Sequence, residues 1–144
     1  MKLSTRGRYS VRIMLDLAIH DDAGPVFLKD IALRQQISQK YLWQLINPLK
    51  TTGLIKSVRG SNGGYSLART ASQITLKDII QVGEGSLSLV DCVDDAGECG
   101  RSELCVYRDV WMEATKKMLE TFEALSLEDM VKRHWQKFSG ISEK

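Results

Sequence analysis

ISQKYLWQLINPLKTTGLIKSVRGSNGGYSLA, residues 37–68, is the stretch whose reading decides the fold. Ser38 is a good N-cap for a helix beginning at Gln39, since a serine hydroxyl can accept from an otherwise unpaired first-turn amide. From there Leu42, Leu45, Ile46 and Leu49 fall at i, i+3, i+4 and i+7, a core-facing stripe. The opposite face carries Lys40, Trp43, Gln44 and Asn47. Pro48 removes one backbone donor, so a bend or an early end is expected there, with Gly53 closing the segment. Leu54–Val58 and Tyr65–Leu67 then read as two strands joined by the glycine-rich tip Gly60–Gly64, a β-hairpin.

Upstream, Thr5–Ile19 reads as a helix with Ser4 or Thr5 as cap. Its apolar side is Tyr9, Ile13 and Leu17, with Met14 and Ala18 beside them. Asp21 to Pro25 supplies turn residues. FLKDIALRQQ follows as a short helix with Leu28, Ile31, Ala32 and Gln35 on one face. Downstream, Ile74–Ile80 is expected to be another short helix with Thr75 as its cap. A long helix is expected from Val106 to Leu125, with Tyr107, Trp111, Ala114, Met118, Phe122 and Leu125 along one side. Ser126 then caps a last short helix, LEDMVKRHW, with acids first and bases last as the helix dipole favours, and the tail after Phe138 is expected to fray.

Helix, short helix, turn, helix and glycine-tipped hairpin is the order of a winged helix-turn-helix. The expected fold is therefore mainly α with a small β-hairpin wing, followed by a long C-terminal helix. In that fold the third helix enters the major groove of duplex DNA. Ser38, Gln39, Lys40, Tyr41, Gln44 and Asn47 are residues of the right kind, because Gln and Asn can pair with adenine edges and Ser and Tyr can reach phosphates or bases. Arg59, at the base of the wing tip, suits phosphate or the minor groove. The competing reading is a small helical domain whose exposed face merely happens to be polar. A phosphate-loop reading of RGSNGG is disfavoured, since no helix and no Gly-Lys-Ser/Thr ending follow it.

Charge agrees with a polyanionic partner. Residues 1–70 hold eleven Lys/Arg against four Asp/Glu, and residues 71–144 hold nine against fourteen, so +7 and −5 make the net +2. The N-terminus lacks the continuous apolar run of a signal peptide, because Arg8 and Arg12 interrupt it. No apolar run approaches a membrane span, so the expected location is the cytoplasm, without membrane association. Both histidines, His20 and His134, lie outside the cysteine-bearing stretch, and no nucleophile–base pattern appears; an enzyme is not expected.

All three cysteines lie in CVDDAGECGRSELC, residues 92–105. Six residues separate Cys92 from Cys99 and five separate Cys99 from Cys105, so the close C-x(2–4)-C pairs usual in zinc sites are absent. Three thiolates on a loop with Gly97 and Gly100 suit an object larger than one ion, such as an iron–sulfur cluster. Reduced thiols without metal, and a zinc site, stay open as alternatives.

The stretches LSTRGRYSVRIMLDLA, IALRQQISQKYLWQLINPLKTTGLIKSVRGSNGGYSLAR and ITLKDII, with the three-cysteine loop, resemble the Rrf2 family of winged-helix repressors in its cysteine-containing branch. The resemblance covers nearly the whole chain. It implies a DNA-binding domain over residues 1–82, a cysteine loop over 83–105, and a dimerisation helix plus C-terminal helix over 106–144. It implies a homodimer on a palindromic operator whose affinity follows iron–sulfur, redox or nitric oxide status. Cys92, Cys99 and Cys105 would then hold a 2Fe–2S or 4Fe–4S cluster. Three departures from the family pattern stand out: the first cysteine gap is one residue longer, Arg108 occupies a position where a histidine is expected, and the first-helix ligand is missing. In the first helix Arg8 and Arg12 stand where relatives carry a ligand, and Asp16 is the first acid. Asp94, Glu98 and Glu103 are local candidates for a fourth ligand and His20 a distant one, with a water or small thiol as an equal alternative; His134 suits a helix end. The alternative is the same regulator without a cluster, controlled by thiol oxidation, zinc or a protein partner. A more distant alternative is a small iron–sulfur electron-transfer or carrier protein.

Overall fold

Ser4 begins the first helix as a cap, its hydroxyl accepting the Gly7 amide at 3.1 Å. In the computed structural model, which describes residues 2–142 and side chains to residue 140, this helix is α1 (Thr5–Ile19). It buries Ile13, Met14 and Leu17. Helix α2 (Leu28–Gln35) follows, then α3 (Gln39–Thr51). Ser38 caps α3 by accepting the Tyr41 amide at 3.2 Å, and Leu42, Leu45, Ile46 and Leu49 are all buried.

Helices α2 and α3 end by the same device. After α3, the Gly53 amide donates to Lys50 and the Leu54 amide to Leu49, both at 3.0 Å, and buried Leu54 covers the end. After α2, Gln36 donates to Leu33 and buried Ile37 to Ala32. Gly53 takes the left-handed conformation at φ 78 without a Cβ penalty; Gln36 takes it at φ 55 at a cost of roughly 1 kcal/mol. That strained residue makes the tight turn between the two helices. Pro48 does not break α3. It sits in the last turn, and the helix ends three residues later, with the Thr52 amide donating to the Pro48 carbonyl at 3.0 Å.

The hairpin pairs β1 (Ile55–Val58) antiparallel with β2 (Gly64–Leu67), in the register Ile55 to Leu67 and Val58 to Gly64. Leu54 belongs to the helix end rather than the strand, one residue short of the expected start. Val26 extends the sheet by exchanging two 2.8 Å hydrogen bonds with Tyr65.

Helix α4 (Leu76–Glu84) starts with a reciprocal capping box between Thr75 and Asp78, at 3.0 and 3.1 Å. It runs four residues past the expected end at Ile80. Gly83 inside it is a point of close approach: a Cβ there would stand 2.7 Å from the Gly7 Cα, so two glycines let α1 and α4 cross in contact. Glu84 then reaches the start of α1, accepting from the Ser4 amide at 2.7 Å and its hydroxyl at 2.6 Å.

Beyond a short α5 (Asp91–Asp94), helix α6 (Val106–Glu123) leads into α7 (Leu127–Ser142). The expected last short helix is longer than its sequence signals indicate. The His134 and Phe138 rings lie 4.6 Å apart, one turn from each other, and the helix runs on to Ser142 rather than fraying after Phe138. Residues 143 and 144 lie outside the described residues. The start of α7 returns to the first unit: Leu127 is buried in its core, and backbone bonds of 2.8 Å join Leu76 to Leu125 and Leu127 to Ile74. No helix among the described residues is long and apolar enough to cross a membrane.

Candidate nucleic-acid interface and cysteine loop

The α3 stripe that fills the core fixes which residues point away from it. Ser38, Gln39, Lys40, Gln44 and Asn47 are exposed at the start and along one side of α3, and Trp43 joins them at 48% exposure. Tyr41 is only half-buried; its ring meets Tyr9 of α1 edge-on at 5.9 Å, so it also braces the helix. Arg12 lies 4.8 Å over the same Tyr9 ring. Arg59 is exposed immediately after β1, at the wing. All seven residues singled out as candidate contacts are thus on α3 or the wing, and none is fully buried.

A network that sequence patterning does not reveal ties α2 to α1 just ahead of the turn into α3. Asp16, 3% exposed, accepts from Arg34 Nη2 at 2.8 Å, Arg34 Nε at 3.0 Å and Gln35 Nε2 at 2.9 Å. Arg12 donates to the Gln35 side chain at 3.2 Å and to the Gln35 carbonyl. The last turn of α2 is therefore tied to α1 directly before the strained Gln36. Hydrogen bonding to Asp16 raises the Arg34 pKa above its ordinary value, against the opposing effect of burial. His20 Nδ1 stands 2.7 Å from the Asp16 carbonyl and 3.6 Å from its carboxylate. The one available signal was an acid on the same side of a helix as Ile13 and Leu17, which demands a partner. Asp16, the first acid of α1, is committed inside the winged unit.

The cysteine loop has a different character. Cys92 and Cys105 are half-buried, Cys99 is exposed, and none is in a disulfide. Among the described residues no three His, Cys, Asp or Glu side chains stand close enough together to hold a metal ion. The donor set nevertheless fits an iron–sulfur cluster: three free thiols, two of them beside the start of α6, on a segment with no buried residue. Cys99, Arg101, Leu104, Cys105 and Tyr107 line an open cavity there.

Of the carboxylates considered as a fourth ligand, Asp94 is engaged. It accepts from Ser86 and, at 2.6 Å, from Ser88, and these bonds lower its pKa below the ordinary aspartate value, Ser86 contributing most. Glu98 and Glu103 are exposed. Arg108 cannot ligate, since a guanidinium has no free lone pair; its Nε donates to the Cys92 carbonyl at 2.8 Å. Behind the loop, the Leu89 amide donates to the buried Thr115 hydroxyl of α6 at 3.3 Å, and Lys77 of α4 pairs with Glu123 at 2.6 Å.

Three helices, a strained turn, an exposed polar helix face and a hairpin define a winged helix-turn-helix protein. Residues 3–133 match the sequence profile described as Rrf2, iron-dependent transcriptional regulator. The chain is 41% identical over 132 residues to the protein rrf2 of Nitratidesulfovibrio vulgaris strain Hildenborough, covering 92% of this chain and 88% of that protein. It is 38% identical to the solved structure of CymR, the global cysteine regulator of B. subtilis, with a TM-score of 0.77 over 92% of this chain and 98% of that one. Against T. potens IscR the identity is 43% and the TM-score 0.76, over 93% and 88%. The chain belongs to the Rrf2 family of transcriptional regulators.

Proposed function

We propose that this chain is a homodimeric, cytoplasmic repressor that binds palindromic operator DNA and changes its affinity with the state of an iron–sulfur cluster at Cys92, Cys99 and Cys105. The observation that carries the DNA contact is the exposed set Ser38, Gln39, Lys40, Gln44 and Asn47 on α3, with half-buried Tyr41 among them and Arg59 on the wing. Gln44 and Asn47 read base edges in this proposal; Ser38, Lys40 and Arg59 hold phosphates. Residues 1–82 form the DNA-binding part, 83–105 the sensing loop and 106–144 the dimer contact. Support for the dimer comes from an apolar surface at the start of α6: Val106, Tyr107, Val110, Trp111 and Met112 are all exposed, Tyr107 at 72%. Two-fold symmetry then places half-sites about one DNA turn apart, ~34–36 Å.

When bound, the cluster supplies sensitivity to oxidants, nitric oxide and iron supply. The chain's own residues would transmit it. Cys92 and Cys105 bracket the entry to α6, Thr115 ties α6 to the segment before the loop, and Lys77–Glu123 ties α6 to α4. Helix α4 crosses α1, to which the Asp16 network fastens the turn before α3. A second reading keeps the DNA contact and replaces the cluster by thiol oxidation, zinc or a protein partner. Arg108 in place of a ligating histidine favours it, as does the separation of the thiols.

The test combines spectroscopy with operator binding. Anaerobically purified protein should be brown, with iron and acid-labile sulfide in the same sample; colourless protein that resists reconstitution selects the second reading. On a selected operator, Gln44→Ala should weaken specific binding by about 1–3 kcal/mol, measured by fluorescence anisotropy. Arg59→Ala should weaken specific and non-specific binding alike and reduce the slope of log K against log salt by about one. Unaltered affinity in both variants would remove α3 and the wing as the contact surface.

A further inference from the structure

We propose that Arg108 is the positioning residue of the cysteine site: its Nε–H clasps the Cys92 carbonyl to the first turn of α6, holding the first cysteine beside the third. The inference deepens the proposed function and rests on it for the identity of the bound group. The clasp is visible in the hydrogen-bond pattern. Within residues 93–105, apart from the bonds that Asp94 accepts from Ser86 and Ser88, the side-chain bonds of the described residues are local: Gly97 to Asp95 at 2.8 Å, and the Ser102 hydroxyl to the Ala96 and Cys99 carbonyls at 2.5 and 2.8 Å. Such bonds shape small turns but do not decide where the loop sits. The 2.8 Å bond from Arg108 spans sixteen residues and joins the start of the loop to the helix behind its end. Arg108 follows Cys105 by three positions, so its bond ties the Cys92 backbone to the helix that Cys105 begins, while Cys99 and Cys105 line one cavity.

Chemistry gives the clasp a second consequence. A guanidinium stays protonated and offers five N–H donors in a planar fork. Only Nε of Arg108 has a protein partner among the described residues. The Nη donors remain for the sulfur of Cys92, Cys105 or a group held between them. Three thiolates and bound sulfide carry net negative charge, and a fixed cation beside them favours the more reduced state. Arg108 thus keeps the loop closed and raises the reduction potential of what the loop holds, without serving as a ligand.

The experiment compares full-length wild type, R108A and R108K after anaerobic reconstitution with ferrous iron and sulfide. Three readouts are taken: the rate of cluster loss to a chelator, the midpoint potential, and hydrogen–deuterium exchange of residues 92–105 in the metal-free protein. R108A is expected to lose the cluster on the order of 10-fold faster, the range seen when an outer-shell partner is removed. Its potential should fall, and its loop amides should exchange faster. R108K keeps the charge but not the fork, so its potential should stay near wild type while cluster loss is intermediate. Far-UV circular dichroism establishes that each variant is folded. Coloured wild type with R108A unchanged in cluster loss and in exchange would overturn the clasp and leave the proposed function standing. Wild type that takes up no iron would overturn the cluster, and the exchange measurement alone then decides whether the clasp exists.

Discussion

Ile13, Leu42, Ile46 and Leu49 have no solvent exposure at all, whereas residues 91–105 contribute not one buried side chain. The two regions sit on either side of Gly85 and are ordered by different means. In the winged unit, apolar side chains from α1, α3, α4, the hairpin and the start of α7 share one core, so each helix is placed by several others. In the cysteine segment, short turns are held by hydroxyl, carboxylate and guanidinium bonds that water can replace. The contrast suits a sensor. The part that reads DNA must persist in every state, and the part that gains or loses a ligand must rearrange at small cost.

The sharpest way to break this contrast is to cut into both regions and compare stability. Leu45→Ala removes a side chain 2% exposed in the α3 stripe and should cost about 2–5 kcal/mol in urea unfolding of the metal-free protein. Glu98→Ala, on the exposed loop, should stay within about 0.5 kcal/mol of wild type. A Glu98→Ala cost comparable to that of Leu45→Ala would mean the loop has a packed state absent from this structure.

A smaller effect tests how the polar network inside the winged unit differs from the polar bonds outside it. Asp16→Asn keeps the volume but removes the charge that Arg34 and Gln35 grip, and it turns an amide donor toward Arg34. Loss of this buried bonding should cost about 1–3 kcal/mol, less than a fully buried ion pair because Arg34 is partly solvated. Operator affinity should fall as well, since the turn before α3 is anchored there. Full stability in Asp16→Asn would show that Gln36 and the core alone set the turn.

Legibility in the sequence followed the same division. Helices α1 to α3 and the hairpin could be read because local signals agree with burial: the Leu42–Leu49 stripe, the Ser38 cap and the glycines of the wing each point to the same structure. Helix α4 runs four residues beyond the Ile80 at which its apolar pattern ends, and Gly83 lies in that extension. Gly83 is kept inside the helix for its contact with Gly7, a tertiary demand that no window of local sequence displays. The Asp16 network escaped for a related reason, since its donors come from a helix eighteen residues away. In the cysteine segment, the clustering of three cysteines proposes the donors, and the family resemblance marks Arg108 as a departure. What Arg108 does depended on a bond to a backbone carbonyl, which any residue at position 92 would offer.

The smallest predicted effect locates the boundary between the two regions. Asp94 is fully accessible, yet hydrogen bonds from Ser86 and then Ser88 lower its pKa below the ordinary aspartate value. A carboxylate with a lowered folded-state pKa contributes stability above its unfolded pKa and loses it as pH falls through the folded one. The Ser86–Ser88–Asp94 clasp should therefore hold at neutral pH, survive acidification through the usual aspartate range, and open only below it. A carbon-detected NMR titration of the Asp94 carboxyl checks this directly. Ser86→Ala should return the titration toward the ordinary value more than Ser88→Ala does, because Ser86 makes the larger contribution. If Asp94 already titrates normally in the wild type, the clasp does not form in solution. The anchored stretch before the cysteines then ends at Leu89, where its amide meets Thr115, and Cys92 is held by Arg108 alone. If the low titration is found, order extends to Asp94, and the mobile part shrinks to the residues around Cys99.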